Sequence, residues 1–323
     1  MRIDVEPLTD ALLDRIYAIN RAGWEHDVPD TPFASLASYR AGLQNPWPGF
    51  AMEVYLGRLD GLPVGILGLR LPLRDNLDGG NAEIYVLPAH RRHGMGRALY
   101  AYAVARLHEL GRKRLFGQTV RRFPDGDAFA AAMGATAALA ETRSRLDVAA
   151  ADLTHLDGLH ADGYRLIRWT GIPPDDVIDD VAYLDSRYIL DAPQGDLVVE
   201  QELVDADRVR DAQRASIVRR RTTFHVGAVH VASGRLVAWT FLASADDAPW
   251  HAWQNITLVA PEHRGHRLGL MVKLDNLRHI RAARPELRAI DTFNATANEH
   301  MLAINQTMGF RPVDSWLQWQ WSE

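Results

Sequence analysis

The sequence predicts an α/β protein of the mixed α+β kind, built from two copies of one domain. Three observations predict it. An eleven-residue phrase occurs twice, as VLPAHRRHGMG from Val86 to Gly96 and as VAPEHRGHRLG from Val259 to Gly269, identical at six positions. Gly61 and Gly234, Val86 and Val259, Arg91 and Arg264, and Gly96 and Gly269 all stand 173 residues apart, so the register holds without a gap. The same order of strand-like and helix-like segments surrounds both phrases. A repeat of domain length calls for two structural units, and 323 residues suffice for two.

In the first half, Pro7 to Tyr17 and Ser35 to Leu43 carry helical apolar spacing. Phe50 to Leu59 alternates as a strand up to the hairpin signal Asp60-Gly61, and Val64 to Leu71 is the return strand. Asp75 to Asn81 reads as a polar turn region, and Ala82 to Val86 as a short strand running into Pro88 and the basic glycine loop. A helix then begins near Gly96, with Leu99, Ala103, Leu107 and Leu110 on one face and Gly111 as its cap. The second half repeats this order. Asp205 to Arg221 is helical, Thr223 to Val231 and Leu236 to Ala243 flank the Ser233-Gly234 turn, and Asn255 to Val259 runs into the second loop. Each copy adds a strand, Leu115 to Val120 and Ala289 to Phe293, and a helix ending at Met133-Gly134 or Met308-Gly309-Phe310. The boundaries predicted are 1–150 and 163–323, with 151–162 as linker and Gly163 to Trp169 as the first strand of the second copy.

Composition narrows the function. A net charge of -5 with pI near 6.2 lacks the basic footprint of a nucleic-acid binder. With no cysteine, thiolate metal sites, disulfides and a Cys nucleophile are excluded. The N-terminus has no signal-like apolar stretch, and no run approaches a membrane span, so a cytoplasmic, soluble protein without a membrane partner is expected.

A strand that ends in basic residues and glycines and then starts a helix presents free backbone N–H groups at the positive end of the helix dipole. That arrangement suits a pyrophosphate. Arg91, Arg92 and Arg97, and Arg264 and Arg267, add charge beside it. His90, His93, His263 and His266 recur at matching positions and read as loop donors, because no carboxylates stand at metal-ligand spacing. No metal is expected.

The pattern V-x-P-x-x-R-x-x-G-x-G, opening a helix and followed by strand and helix ending in Gly or Gly-Phe, resembles the acyl-CoA-binding core of the GCN5-related N-acetyltransferases (GNAT). The first copy has it intact in Val86, Pro88, Arg91, Gly94 and Gly96. The second keeps Val259, Pro261, Arg264 and Gly269, with Arg267 in place of the middle glycine. The second loop, with Asn294, Asn298, Met301, Asn305 and Gly309-Phe310 after it, resembles the C-terminal half of the tandem actinobacterial subgroup, of which mycothiol synthase is the best-known kind. The resemblance implies two tandem domains, each a mixed twisted sheet flanked by helices, whose fourth and fifth strands splay around the pantetheine arm. It also implies acetyl-CoA as cofactor and direct attack on the thioester by the amine of a small molecule, with a backbone N–H stabilising the tetrahedral intermediate. The cofactor-binding residues it implies are Val86, Arg91, Arg92, His93, Gly94, Met95, Gly96 and Arg97 in the first copy. In the second they are Val259, Arg264, Gly265, His266, Arg267, Leu268, Gly269, Asn294 and Asn298.

The copies differ in ways that bear on chemistry. Aligning Gly134 with Gly309 sets Thr119 opposite Asn294 and Phe123 opposite Asn298, so only the second copy has these amides. They could hold pantetheine, or simply form turns and a helix cap. Trp169, Trp239, Trp250, Trp253, Trp316, Trp319 and Trp321 all follow residue 163, which gives the second copy the aromatic weight for an acceptor cleft or for packing. Family members often carry a tyrosine four residues before the terminal glycine to protonate the leaving thiolate; Ala130 and Asn305 stand there. For a base the first copy offers Glu83. The second offers Asn255 and Gln254, with His225, His251 or Asp191 reaching in. The series Arg208, Arg210, Arg214 and Arg219 to Arg221 reads as a solvated helix face more readily than as an acidic-acceptor site.

The expectation is an N-acetyltransferase whose C-terminal domain reacts and whose N-terminal domain is structural or CoA-binding. Catalytic candidates are Glu83, Asn255, Asn305 and His225. Two rivals stand beside it: catalysis in the N-terminal domain through Glu83, and a non-catalytic acyl-CoA sensor or scaffold. Monomer and homodimer fit equally.

Overall fold

The computed structural model describes residues 2–323. In chain order it begins with β1 (Ile3–Pro7), α1 (Leu13–Asp27), α2 (Leu36–Gln44), β2 (Phe50–Leu59), β3 (Leu62–Pro72) and β4 (Gly79–Val86). It continues with α3 (Met95–Glu109), β5 (Arg114–Val120), α4 (Pro124–Ala132) and β6 (Thr136–Asp147). The second half carries β7 (Tyr164–Thr170), α5 (Ile178–Ser186), α6 (Tyr188–Asp191), α7 (Ala206–Val218), β8 (Arg221–His230), β9 (Leu236–Ala245) and β10 (His251–Val259). It closes with α8 (Leu268–Ala283), β11 (Ala289–Ala295), α9 (Glu299–Thr307) and β12 (Arg311–Ser322).

Local chemistry fixes many of these boundaries. Ser35 caps α2 by accepting from the Ser38 amide at 3.2 Å, and Asp205 caps α7 from the Arg208 amide at 2.7 Å. Asp60 and Gly61 both take positive φ, 48° and 84°, as a two-residue hairpin of the type I′ kind requires. Two predicted segments shift. The helix expected from Pro7 starts only at Leu13, because Ile3–Pro7 pairs with β2 as a strand. Gly79 to Asn81, expected in a turn, pair with Arg114 to Phe116 and extend β4.

The chain forms two compact units. The first comprises residues up to Ala140 with 195–199 and 315–323, and the second comprises 141–194 with 200–314. Strand order is β1-β2-β3-β4-β5-β12 in the first unit and β6-β11-β10-β9-β8-β7 in the second. Both sheets are mixed: β4–β5 and β10–β11 are parallel, and the neighbouring pairs within each unit are otherwise antiparallel. This division departs from a cut between 150 and 163. Trp316 to Ser322 of β12 pair with Val120 to Arg114 in the first unit, and Glu141 to Asp147 of β6 pair with Ala295 to Ala289 in the second. Each sheet is completed by a strand from the other half of the sequence. The expected linker contributes too, since Leu156 is buried in the second unit's core.

In the first unit Leu67, Leu69, Leu99, Ala103 and Leu107 pack α3 on one face of the sheet, and Ile16, Ile19, Leu56 and Ile66 pack α1 on the other. In the second, α8 buries Leu270, Leu274 and Leu277, while α5 buries Ile178, Val181 and Leu184. Burying apolar area on both sheet faces is the main driving force for each unit. Both sheets are therefore rigid supports for whatever their strand ends carry.

Candidate active site

In the first unit β4 and β5 pair only at Gly79–Asn81 with Arg114–Phe116. Beyond that point the strands part, leaving backbone groups of Ala82 to Val86 on the open side without a ladder partner. A cavity of ≈ 630 Å³ opens there, walled by these strand ends, by α4, by the basic loop and by Trp316, Trp319 and Trp321. The tryptophans that sequence position assigned to the second copy thus line the first unit's cleft, because β12 lies beside β5. Trp319 donates from Nε1 to Thr119 Oγ1 at 2.8 Å, and Thr119 donates to Asp127 at 2.5 Å, which fixes that wall.

The loop joins β4 to α3 through a short turn. Arg92 and Gly94 take left-handed φ of 65° and 84°, and α3 begins at Met95. The second loop has the same backbone with the residue types exchanged: Gly265 at 84° and Arg267 at 60°. Either order builds the turn, although a non-glycine residue pays some strain there. Arg92, His93, Gly94 and Arg97 are exposed at the first loop, as are Gly265, His266 and Arg267 at the second. Met95 and Leu268, by contrast, are buried supports. Arg91 turns inward. Its Nε donates to the Val86 carbonyl at 3.1 Å and its guanidinium meets Asp27 at 3.5 Å; Arg264 repeats this with Val259 at 3.3 Å and Asp191 at 2.9 Å. These two arginines brace the loops and have carboxylate partners already.

Glu83 lines the cleft. Water reaches it, yet the cleft walls crowd the carboxyl and push it above the ordinary carboxylate range, with Arg70 opposing the shift. Tyr85, also in the wall, is held well above the usual phenol range by burial and by the negative charges of Glu83 and Asp27, so it is a neutral phenol. Tyr100, one turn into α3, donates to the Met133 carbonyl at 3.0 Å, and burial pushes its phenol up to about 12. At 130 the wall has only a methyl group.

The second unit's strands part at the matching place, after His251–Trp253 with Ala289–Asp291. A register shift lies between Gln254 and Thr257 of β10. Its interior is crossed by protein groups. Lys273 Nζ donates to Asn305 Oδ1 at 2.8 Å, Asn305 Nδ2 donates to Asn294 Oδ1 at 2.7 Å, and Thr292 donates to the Gln254 carbonyl at 3.2 Å. Lys273, Asn305 and Asn294 stand at the register positions of Tyr100, Ala130 and Thr119, all three of which line the first unit's cleft. Lys273 is 1% exposed without a carboxylate partner among the described residues, and burial pushes its amine down to about 7. With Lys113 it is one of the two lysines in the sequence.

The other candidates fall into structural roles. Asn298 caps α9, accepting from the Met301 amide at 3.2 Å. Asn255 donates to the Trp253 carbonyl at 3.0 Å on an exposed stretch. His225 is fully buried between Trp169 and Phe241, accepts from Trp239 Nε1 at 3.1 Å, and is pushed down to about 3 by desolvation. It is a neutral ring in a stack, without access to an acceptor. His251 is bound to Asp291 at 3.1 Å, and Asp191 is held by Arg187 and Arg264. Arg208, Arg210 and Arg214 pair with Glu202, with Asp175 and Asp207, and with Asp211. Among the described residues no group of His, Cys, Asp and Glu could hold a metal ion, and no helix is long and apolar enough to cross a membrane.

A mixed sheet whose parallel middle pair splays beside a basic glycine-containing loop at a helix N-terminus is the arrangement of a GNAT acetyltransferase fold. The profile of the Acetyltransferase (GNAT) family matches residues 13–132. The structure is similar to that of a tandem GNAT protein from the clavulanic acid biosynthesis pathway, with a TM-score of 0.83 and 30% identity over 99% of this chain and 98% of that one. It also resembles a GCN5-related N-acetyltransferase from Sphaerobacter thermophilus, with a TM-score of 0.71 and 14% identity over 99% and 95% of the two chains. A search of curated proteins finds no match. The chain belongs to the GNAT family and is an N-acetyltransferase of its tandem, two-domain kind.

Proposed function

We propose that this chain transfers acetyl from acetyl-CoA to the amine of a small molecule, that the N-terminal cleft carries the reaction, and that Glu83 is its general base. The observation that carries this reading is the cleft itself, open between β4 and β5, with the anion-binding loop at one end and Glu83 in its wall. The residues fit the cosubstrate. Backbone N–H groups at Arg92 to Gly96, with Arg92, His93 and Arg97, would hold the pyrophosphate, and the unladdered edge of Ala82 to Val86 would pair with pantetheine. A Cβ at Gly117 would meet only the Ala82 carbonyl, at 3.5 Å, so that side of the slot is free of side chain. Acetyl-CoA would supply the thioester. Glu83 takes the proton from the incoming amine as its nitrogen becomes bonded to the acetyl carbon, and a carboxyl raised toward neutrality does this more effectively.

The expectation favoured the C-terminal cleft. The register shift on β10 supports that second reading, since a bulge frees backbone groups that could hold a carbonyl oxygen. The chain of Lys273, Asn305 and Asn294 weighs against it, because these side chains are bonded to one another, whereas Tyr100, Ala130 and Thr119 at the matching positions line the first unit's cleft. Glu83→Gln decides. It is expected to lower kcat about 10²–10³-fold while leaving acetyl-CoA affinity unchanged, and to remove the acidic limb of the kcat/KM profile. Full turnover in Glu83→Gln would return the reaction to the C-terminal copy.

A further inference from the structure

On the face of β3 and β4 that packs toward α1, the residues run Met52, Val54, Leu56, Ile66 and Tyr85, an apolar surface. It is interrupted by one polar patch. The register sets Gly68 opposite Glu83 and Arg70 opposite Asn81, so all four share this face, with the two pairs about 7 Å apart along the strands. Gly68 leaves a dent. A Cβ built there would meet only Glu83, at 3.8 Å, and its φ is not in the left-handed region. Steric need of the backbone does not explain a glycine in this strand, whereas space beside Glu83 does.

The patch has unused donors. Arg70 is exposed, and its guanidinium rests 5.1 Å from the centroid of the Phe50 ring, which orients it. Among the described residues no carboxylate lies within ion-pair distance of Arg70, and the Asn81 amide has no hydrogen-bond partner. Most other arginines of this unit that flank the sheet are paired: Arg58 with Glu6, Arg91 with Asp27, Arg106 with Glu53 and Arg114 with Asp78. Two donor groups with no partner among the described residues thus share the strand face on which Gly68 leaves a dent beside the Glu83 carboxylate.

Resting on the assignment of the reaction to the N-terminal cleft, we infer that the acceptor is an amino-acid-like zwitterion, its amine over Gly68 against Glu83 and its carboxylate held by Arg70 and Asn81. A guanidinium takes a carboxylate in bidentate fashion and the amide supplies a third donor, so both ends of the acceptor are fixed. Loss of the carboxylate leaves Arg70 and Asn81 unmatched. Loss of the amine leaves nothing to acetylate.

The test compares free amino acids with their C-terminal amides as acceptors of acetyl from acetyl-CoA, following CoA release. The wild type is expected to favour the free acid in kcat/KM by at least about 10-fold, since a site built to bind a group rejects the analogue lacking it. Arg70→Gln should collapse that ratio by raising KM for the acid with kcat little changed, and Arg70→Lys should restore part of it. Gly68→Val, which suits a strand, should raise the acceptor KM while leaving the acetyl-CoA KM as it is. Turnover with no preference for acids over amides, or a preference unmoved by Arg70→Gln, overturns this inference and leaves the N-terminal assignment standing. Absence of turnover with every amine, together with no thermal stabilisation by acetyl-CoA, takes down both.

Discussion

A lysine buried without a counter-charge is an expensive residue, and Lys273 is one: 1% exposed, bonded among the described residues only to the Asn305 amide oxygen and lying 5.2 Å from the centroid of the Phe310 ring. The ammonium form loses its hydration and gains little in return. Its pKa is near 7 in the folded chain and near 10.5 when exposed. Between those values the unfolded chain holds a proton that the folded chain has released, so stability rises with pH from about 7 to about 10.5 and is flat below. The double variant Lys273→Met, Asn305→Ala removes the charge and the acceptor together. It is expected to be more stable than the wild type at pH 7 by a few kcal/mol, with the gap closing toward pH 10, read from urea midpoints at several pH values. A wild type whose midpoint tracks the variant's across that range would show that the amine is not desolvated. Glu83 titrates with the opposite functional sense. Its raised carboxyl must lose a proton to act as base, so kcat/KM should climb with pH through a midpoint above the ordinary carboxylate range.

At the scale of elements, the loop and the splay decide, on the proposed reading, where the cosubstrate goes. Arg92 and Arg97 are exposed at the first loop and have no carboxylate partner among the described residues, and Arg267 occupies the matching loop of the second unit. Replacing both Arg92 and Arg97 by Ala is expected to raise the acetyl-CoA KM about 10-fold or more, as loss of charge-assisted hydrogen bonds would, while Arg267→Ala leaves it unchanged. An effect from Arg267→Ala alone would place the working loop in the second unit. The loops themselves were legible in the sequence, because a strand, a basic glycine turn and a helix are each local patterns. Their internal division of labour was not. Arg91 and Arg264 look like phosphate ligands in one dimension, and only the fold brings Asp27 and Asp191 to them. The same holds for Asn294 and Asn305. Their presence was visible, but their hydrogen bond to each other and to Lys273 depends on three separate elements meeting inside one cleft. Glu83 was legible as a strand carboxylate, whereas Arg70 and Gly68 beside it depend on the β3–β4 register.

At the scale of the whole chain, the repeat suggested a clean cut between halves, and strand pairing sets a different one. A strand's partner is chosen by long-range register and burial, which a linear reading of the repeat does not contain. The consequence is measurable. A fragment of residues 1–150 lacks β12, so β5 loses its neighbour and the cleft loses Trp316, Trp319 and Trp321. Trp316 and Trp319 are 5% and 9% exposed, and removing two large buried side chains costs on the order of 3–5 kcal/mol each. A fragment of residues 163–323 lacks Arg143 and Arg145, both of which bind Asp291, while Arg143 also binds Asp314. Asp291 is fully buried, and stranding such a charge costs about 3–5 kcal/mol; in the intact chain burial pushes its carboxyl up, and Arg145 and His251 outweigh that and hold it down at about 2. Losses of that size approach the whole stability of a domain. Each half expressed alone should therefore be unfolded or aggregated by circular dichroism and gel filtration. Co-expressed, the two halves should form a soluble 1:1 complex that acetyl-CoA stabilises, because each supplies the strand the other lacks. A chain ending at Asp314 should lose acetyl-CoA binding although every loop residue remains. Independent folding of either half with a sharp thermal transition would show that the exchanged strands are ornaments of the sheets.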